Sequence, residues 1–381
     1  MLIVKSSMRS RGIFINVALL LSTLILIFLV SEITLRIAAY KEDKKILSDK
    51  ILSAKKPLPE SRVYPWEVIQ LSENRKIIYE LKANLRVKVV IPFVYKGTRK
   101  VKKFVSTPLR TSSAGNRCLW DNCIDYSTSK PDNIMRIVGI GDSIMYGFNI
   151  DYKDSYLPLL EKALNRNKIH KSRWEIVNLA VPGYNTVMEV ESLKDKGLAF
   201  DPDIVIVGYC SNDLNLPNYI RNEQDFSLTR SFFIDFIATR LGILDRKVRG
   251  EAEFVMADIL LSDPSEVPSM YKDMVGWEAY VTAMKDLSEL SKKHGFKVMV
   301  VYFTHGWGRK DINESSRQLS KKLGFEIVDM EPVIDRVMKK NNIRKYMDSK
   351  LAFSSHDPHP SVLTHPFIAG EILRKIAATA H

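Results

Sequence analysis

The first long apolar run in the chain is Ile13 to Val30, 18 residues interrupted only by Asn16, Ser22 and Thr23. At about 1.5 Å per residue, roughly 20 such residues cross a hydrocarbon core of about 30 Å. Ser31 to Ala39, with Glu32 and Arg36, would prolong the same helix into the far interface. Lys5, Arg9 and Arg11 precede the run without an acid among them, so the positive-inside rule puts the N-terminus in the cytoplasm and the remainder outside. A cleaved signal peptide is the alternative. Its apolar core usually spans only about 7–15 residues and ends at a small-x-small site, and Ser31, Glu32, Ile33, Thr34 and Leu35 offer none. The pattern predicts a cytoplasmic N-terminus over 1–12 and an uncleaved transmembrane anchor over 13–35.

Beyond the anchor, Tyr40 to Lys56 is charged and helix-compatible and runs into Pro57-Leu58-Pro59, which predicts a stalk over 36–59. Residues 60–133 hold short β-favouring runs, Leu85 to Val94 and Val101 to Thr107, separated by Pro, Gly, Ser and Asn, and so predict a small β-rich subdomain. From Ile134 onward, apolar strands alternate with amphipathic helices, which signals a parallel sheet covered on both faces. The predicted strands are Arg136 to Gly141, Glu175 to Val181, Ile204 to Cys210, Lys297 to Thr304 and Glu326 to Met330. The helices are Ser155 to Asn165, Thr186 to Leu198, Val275 to His294, Glu314 to Leu323 and Thr364 to Ala378. Residues 214–269 break the alternation and are too long for an ordinary connection. Phe226, Phe232, Phe233, Phe236, Ile237, Leu241 and Ile243 predict one or two helices there, either a wall or lid of a substrate cleft or a peripheral insertion with its own small core.

At 381 residues and 45% hydrophobic content, the chain can bury one sizeable α/β core with smaller appended regions, which excludes disorder throughout. The formal net charge of +13 suits an anionic surface. Its Lys and Arg are spread in short runs that read as solvated faces, and no nucleic-acid motif accompanies them. The three cysteines and seven histidines show no zinc spacing. Cys118 and Cys123, five residues apart in a polar stretch that the anchor places outside the cytoplasm, form either a small disulfide or two free thiols, because spacing alone does not fix Cβ geometry. Cys210 lies in an apolar run and reads as a buried small hydrophobe.

In an open parallel sheet, ligands gather at the carboxyl ends of the strands. After the first strand comes Gly141-Asp142-Ser143, after the second Pro182-Gly183-Tyr184, after the third Ser211-Asn212-Asp213; before the last helix stands Asp357-Pro358-His359-Pro360. These residues are what acyl transfer needs. A serine hydroxyl is a poor nucleophile until a base takes its proton, and His359 is the candidate base for Ser143. Imidazole needs a carboxylate to fix its tautomer, for which Asp357 is two residues away. The oxyanion needs donors, available from the backbone N–H groups of Ser143 and Gly183 and the side-chain amide of Asn212. His305, after the fourth strand, points toward the same mouth and is either a substrate contact or an ordinary loop residue. Asp142 reads as a structural hydrogen-bonding residue.

Four blocks together resemble the SGNH/GDSL hydrolase family, in particular its membrane-anchored bacterial branch: Ile140-Gly141-Asp142-Ser143 with Tyr146-Gly147, Asn178 to Thr186, Asn212-Asp213, and Asp357-Pro358-His359-Pro360 with His365. The resemblance covers 134–381. It implies a three-layer α/β/α sandwich, of SGNH/flavodoxin-like type, with a five-stranded parallel sheet. It also implies Ser143 as nucleophile, His359 as base, Asp357 as its acid, Gly183 and Asn212 as oxyanion donors, and no metal or organic cofactor. The family commonly carries its acid three residues before the histidine; position 356 is His here, so the acid is Asp357 or comes from elsewhere. A glycine usually precedes the family's third-block Asn directly, whereas Gly208 stands four residues before Asn212. The expected protein is a single-pass membrane protein whose extracytoplasmic domain, periplasmic or on the cell surface, acts as a serine esterase on an acylated envelope carbohydrate or lipid. An O-acyltransferase using the same acyl-enzyme and a catalytically silent envelope-polysaccharide binding protein are the alternatives.

Overall fold

A computed structural model of the chain describes residues 2–54, 62–94, 101–167, 172–221, 231–242, 254–256, 267, 269–305 and 310–379. The chain divides into two compact units, Met1–Leu52 with Arg221–Glu253, and Ser53–Ile220 with Phe254–His381.

In the larger unit, the apolar runs form five parallel strands, in spatial order Glu326–Asp329, Lys297–Tyr302, Ile204–Tyr209, Ile134–Gly141, Arg173–Asn178. Ile137 pairs with Ile176 on one side and Ile204 on the other, so the first strand is the hinge at which the winding direction reverses. Right-handed crossovers then place the helices leaving in opposite directions on opposite faces. Tyr156–Asn167 packs on the C-terminal helix His365–Thr379, and Thr186–Asp195 packs on Gly276–His294.

Two differences from the sequence reading have local causes. The second strand ends at Asn178 rather than Val181, because Leu179 and Val181 make isolated bonds to the carbonyls of Gly139 and Gly141 before Pro182, which has no N–H to continue the ladder. A helix over Glu331–Lys340 escaped the sequence reading. Its Pro332 resembles a breaker, yet it occupies the first turn, where a missing N–H costs nothing.

The β-favouring runs form a hairpin of Arg86–Val94 with Val101–Thr111, flanked by Arg62–Val63 and Arg117–Cys118 in a four-stranded sheet. A second ribbon pairs Ile69–Leu71 with Tyr79–Leu81. Val63, Leu85, Val87 and Leu109 belong to the same hydrophobic cluster as Ile137, Leu160 and Val205, so this region shares the hydrolase core. Cys118 and Cys123 are bonded, and Cys210 is buried as a free thiol.

The smaller unit contains one helix over Leu2–Ala54, of which Phe14–Lys41, 28 residues, is apolar and long enough to cross a membrane. Ser22, Thr23 and Thr34 return their hydroxyls to carbonyls one turn back, so their polar groups are satisfied within the helix. Part of the predicted insertion is the helix Phe232–Arg240. The Glu32 carboxylate accepts from the Ser231 hydroxyl at 2.9 Å, from Phe232 N at 3.1 Å and from Phe233 N at 2.8 Å. Arg36 pairs with Glu32 at 2.6 Å and covers the Phe232 ring. The aromatic residues of this insertion thus find partners on the N-terminal helix. Most of the remaining predicted insertion lies outside the described residues.

Two buried polar residues in the larger unit carry testable consequences. Arg136, 1% exposed, donates to the Glu175 carboxylate on the neighbouring strand at 2.7 Å and to the Phe200 carbonyl. Glu175→Ala leaves that guanidinium without its counter-charge and is expected to cost about 3–5 kcal/mol in chemical denaturation of the full chain. His365 is fully buried against Tyr156, accepts from Tyr156 N at 3.2 Å, and is bonded to the Pro360 carbonyl; burial, with the Arg117 charge, pushes its pKa down to about 3. Because the unfolded imidazole takes a proton near pH 6.5 and the folded one does not, its contribution is complete above pH 6.5 and is lost as pH falls toward 3. The measured slope of stability over that window should lose about one proton's worth in His365→Gln.

Candidate active site

Strand Ile134–Gly141 delivers Ser143 to the start of a single helical turn, Ser143–Tyr146. Asp142 caps that turn by accepting from Ile144 N at 2.9 Å, which holds the serine where the strand ends. The C-terminal segment before the last helix arrives as a ribbon, Ala352–Ser354 with Asp357–Pro360. It brings the His359 Nε2 to 2.7 Å from the Ser143 Oγ across 216 residues.

On its other side, His359 Nδ1 lies 2.5 Å from Asp357 Oδ1, and the same oxygen accepts from His359 N at 3.0 Å. With Nδ1–H directed at the carboxylate, Nε2 faces the serine hydroxyl as an acceptor. Asp357 Oδ2 accepts from the Asn149 amide at 2.9 Å. Burial alone would raise this carboxyl, but the His359 side-chain bond and charge, its backbone N–H and Asn149 outweigh burial and hold it below the usual carboxylate range. The Phe148 ring packs on the imidazole with centroids 5.0 Å apart. His356, at the position where the family usually has its acid, is exposed and bonded to Ser355.

Gly183 and Asn212 stand at the ends of the second and third strands, on the same edge of the sheet. Gly183 has φ +82°, and a Cβ there would fall 2.3–2.5 Å from the Asn218 side chain, so both conformation and space require glycine. The Asn212 side chain bonds to the Asp142 carboxyl. Burial raises that carboxyl above its ordinary value against the opposing bonds from Ile144 N and Asn212 and the attraction of His359. Asp142 therefore joins the helical turn Ser143–Tyr146 to Asn212. His305 lies between Phe303 and Tyr346, with Nε2 3.1 Å from Asp335 Oδ1.

Several supports come from contacts that are long in sequence. The Arg117 guanidinium, buried in the β-rich region, donates to the carbonyls of Tyr146, Gly147 and Ile150, the exit of the nucleophile turn, with 2.8 Å to Gly147 and 2.9 Å to Ile150. Tyr79 donates its hydroxyl to the Pro182 carbonyl at 2.9 Å and accepts the Tyr184 hydroxyl on its own carbonyl, so it holds the loop around Gly183. Asn185 caps the helix that follows through Met188 N and ties it to the carbonyls of Asn215 and Met274. Among the described residues no cluster of His, Cys, Asp and Glu is arranged to hold a metal ion.

Solved structures to which this chain is similar include an acetyl xylan esterase, AlAXEase, at 13% identity over 63% of this chain and 99% of that chain, with a TM-score of 0.40. The psychrotrophic esterase EstA from Pseudoalteromonas sp. matches at 12% over 65% and 98%, with a TM-score of 0.39. A catalytic mutant of Axe2, an acetylxylan esterase from Geobacillus stearothermophilus, matches at 15% over 64% and 94%, also with a TM-score of 0.39. No curated protein matches the chain in sequence. The model of the GDSL-like lipase/acylhydrolase family matches residues 140–365, more than half of the chain and all four of its motif blocks. By that match the chain belongs to the GDSL-like lipase/acylhydrolase family and is an SGNH-type serine hydrolase.

Proposed function

We propose that the protein is an esterase that removes acyl groups from an envelope carbohydrate or lipid through an acyl-enzyme on Ser143. The observation that carries this reading is the hydrogen-bonded series Ser143–His359–Asp357, with 2.7 Å between hydroxyl and imidazole. As Ser143 Oγ attacks the ester carbonyl, its proton passes to His359 Nε2 and the carbonyl π electrons move to the oxygen. Asp357, held ionised, stabilises the imidazolium. The N–H groups of Ser143 and Gly183 and the Asn212 amide stabilise the oxyanion. Collapse breaks the C–O bond to the alcohol, which leaves with the proton from His359. Water then repeats the attack on the acyl-enzyme, gives its proton to His359, and releases the acid as Ser143 regains its hydrogen.

The apolar helix and the cysteines support an envelope setting. The 28-residue apolar stretch with a basic N-terminal flank supports a single-pass anchor with its N-terminus in the cytoplasm. The Cys118–Cys123 bond supports an oxidising compartment for the catalytic unit. An acyl ester presented at the envelope is then within reach of a tethered enzyme, and the +13 charge favours an anionic polymer or lipid.

A fluorophosphonate probe should label the purified full chain on Ser143 and leave Ser143→Ala unlabelled; a folded, unlabelled wild type would sink the proposal. Hydrolysis of p-nitrophenyl esters should fall by about a millionfold in kcat in Ser143→Ala and about ten-thousandfold in Asp357→Asn. Loss of one oxyanion donor in Asn212→Ala should cost about a hundred- to a thousandfold.

A further inference from the structure

Immediately beyond His359 the chain leaves a group of apolar side chains in water. Val362, Leu363 and Phe367 are 46, 50 and 39% exposed, and Pro366 between them is exposed as well. The turn at Ser361 runs straight into helix His365–Thr379, with Thr364 N at 2.9 Å and His365 N at 3.4 Å both donating to the Ser361 carbonyl. Three- and four-residue spacing therefore sets Leu363, Pro366 and Phe367 on one side of the element, while Thr364, His365, Ile368 and Ala369 are buried on the other. Single exposed apolar residues are ordinary, whereas a contiguous group marks a partner.

The flank of this group is cationic. Residues 336–350 carry Arg336, Lys339, Lys340, Arg344, Lys345 and Lys350 against one acid, Asp348. Ser361 ties the two segments together: its N–H donates to the Leu351 carbonyl at 2.8 Å and its hydroxyl to the Lys350 carbonyl at 2.5 Å. The backbone of Lys350 thus lies against the residue before Val362. Glu371, the only acid in the sequence of the last helix, is offset by Arg374, Lys375 and Arg336.

We propose that Val362, Leu363, Pro366 and Phe367 form a bilayer-docking surface, seated among anionic headgroups beside His359, which rests on the anchored esterase just proposed and presents its site to acyl esters carried in that membrane. An apolar face flanked by Lys and Arg is what inserts about 5–10 Å into the boundary between headgroups and acyl chains. The chain carries its own tether to such a surface, the apolar stretch Phe14–Lys41, which keeps lipid at a high effective concentration around a small patch. Other occupants fit worse. A stable protein interface uses roughly 20–30 residues a side, and Val362, Leu363 and Pro366 offer a sugar no side-chain hydrogen-bonding group. Val362 follows His359 by three residues, at most about 11 Å of chain, so docking there brings the catalytic base to the membrane surface.

The test reconstitutes the full chain in vesicles of phosphatidylglycerol and phosphatidylcholine, with an environment-sensitive fluorophore on the thiol of Leu363→Cys. Lys285→Cys, on helix Gly276–His294 at the other face of the sheet, is the control. Cys118 and Cys123 are bonded and Cys210 is buried, so the label goes to the introduced thiol. A nitroxide on the lipid acyl chain should quench the Leu363 label about twofold more than the Lys285 label. Equal quenching overturns the docking surface, and so does a Leu363 label that responds to an added acylated polysaccharide and not to the nitroxide lipid. Leu363→Asp combined with Phe367→Asp should hydrolyse p-nitrophenyl laurate dissolved in the vesicles about tenfold more slowly and keep its rate on aqueous p-nitrophenyl acetate. An unchanged laurate rate overturns the presentation of membrane esters. If the double variant loses both rates alike, or the wild type cleaves neither ester, the label decides alone; differential quenching without hydrolysis keeps the surface and removes the esterase.

Discussion

The catalytic edge of this protein depends on a buried cation that belongs to the appended β-rich region. Arg117 places its guanidinium against the carbonyls of Tyr146, Gly147 and Ile150, at and just beyond the end of the short helix Ser143–Tyr146. A buried guanidinium is tolerated only where acceptors surround it, and exposed backbone carbonyls at a buried turn are tolerated only where donors do. Each solves the other's problem, and the Tyr146 ring beneath the cation adds to the fit. Tyr79 does the same on the opposite side, through the Pro182 carbonyl. The β-rich region is therefore part of the hydrolase rather than a spacer before it, as the common hydrophobic core also requires.

Electrostatics separates the acids of the site into two groups. Burial pushes the carboxyls of Asp142, Glu189 and Asp213 upward, and Asp213 is raised further by its acidic neighbours. Asp357 is the opposite case, held low by bonds to its charged form. Negative charge is thus favoured at Asp357, beside the His359 imidazole, and disfavoured at Asp142, Glu189 and Asp213. Divergent environments for neighbouring carboxyls are how one site assigns different roles to chemically identical groups.

Much of this was legible before any coordinates. Hydrophobic periodicity located all five core strands, and the rule that function gathers at their carboxyl ends drew attention to Ser143, Gly183 and Asn212 together. Short-range chemistry also sufficed to pair Asp357 with His359, two residues apart. The supports were not legible, because their contacts are long in sequence and ordinary in composition. Asn149 meets Asp357 across 208 residues, and Tyr79 meets Pro182 across 103. An arginine before a cysteine carries no mark that distinguishes a buried clamp from a solvated charge. Pro332 hid a helix by resembling a terminator, and the aromatic run at Phe232 gave no indication that its partner lay on the N-terminal helix.

That last contact has a consequence in time. Glu32 and the donors it serves on Ser231, Phe232 and Phe233 are separated by 199–201 residues. Synthesis at about 5–20 residues per second means the apolar helix is complete some ~10–40 s before its second partner exists. During that interval the carboxylate stands in an apolar helix with Arg36, one turn on, as the partner made alongside it. The i,i+4 pair is therefore more than a decoration of the finished contact. Its two charges lie one turn apart on a single helix, so this contact needs no segment made later.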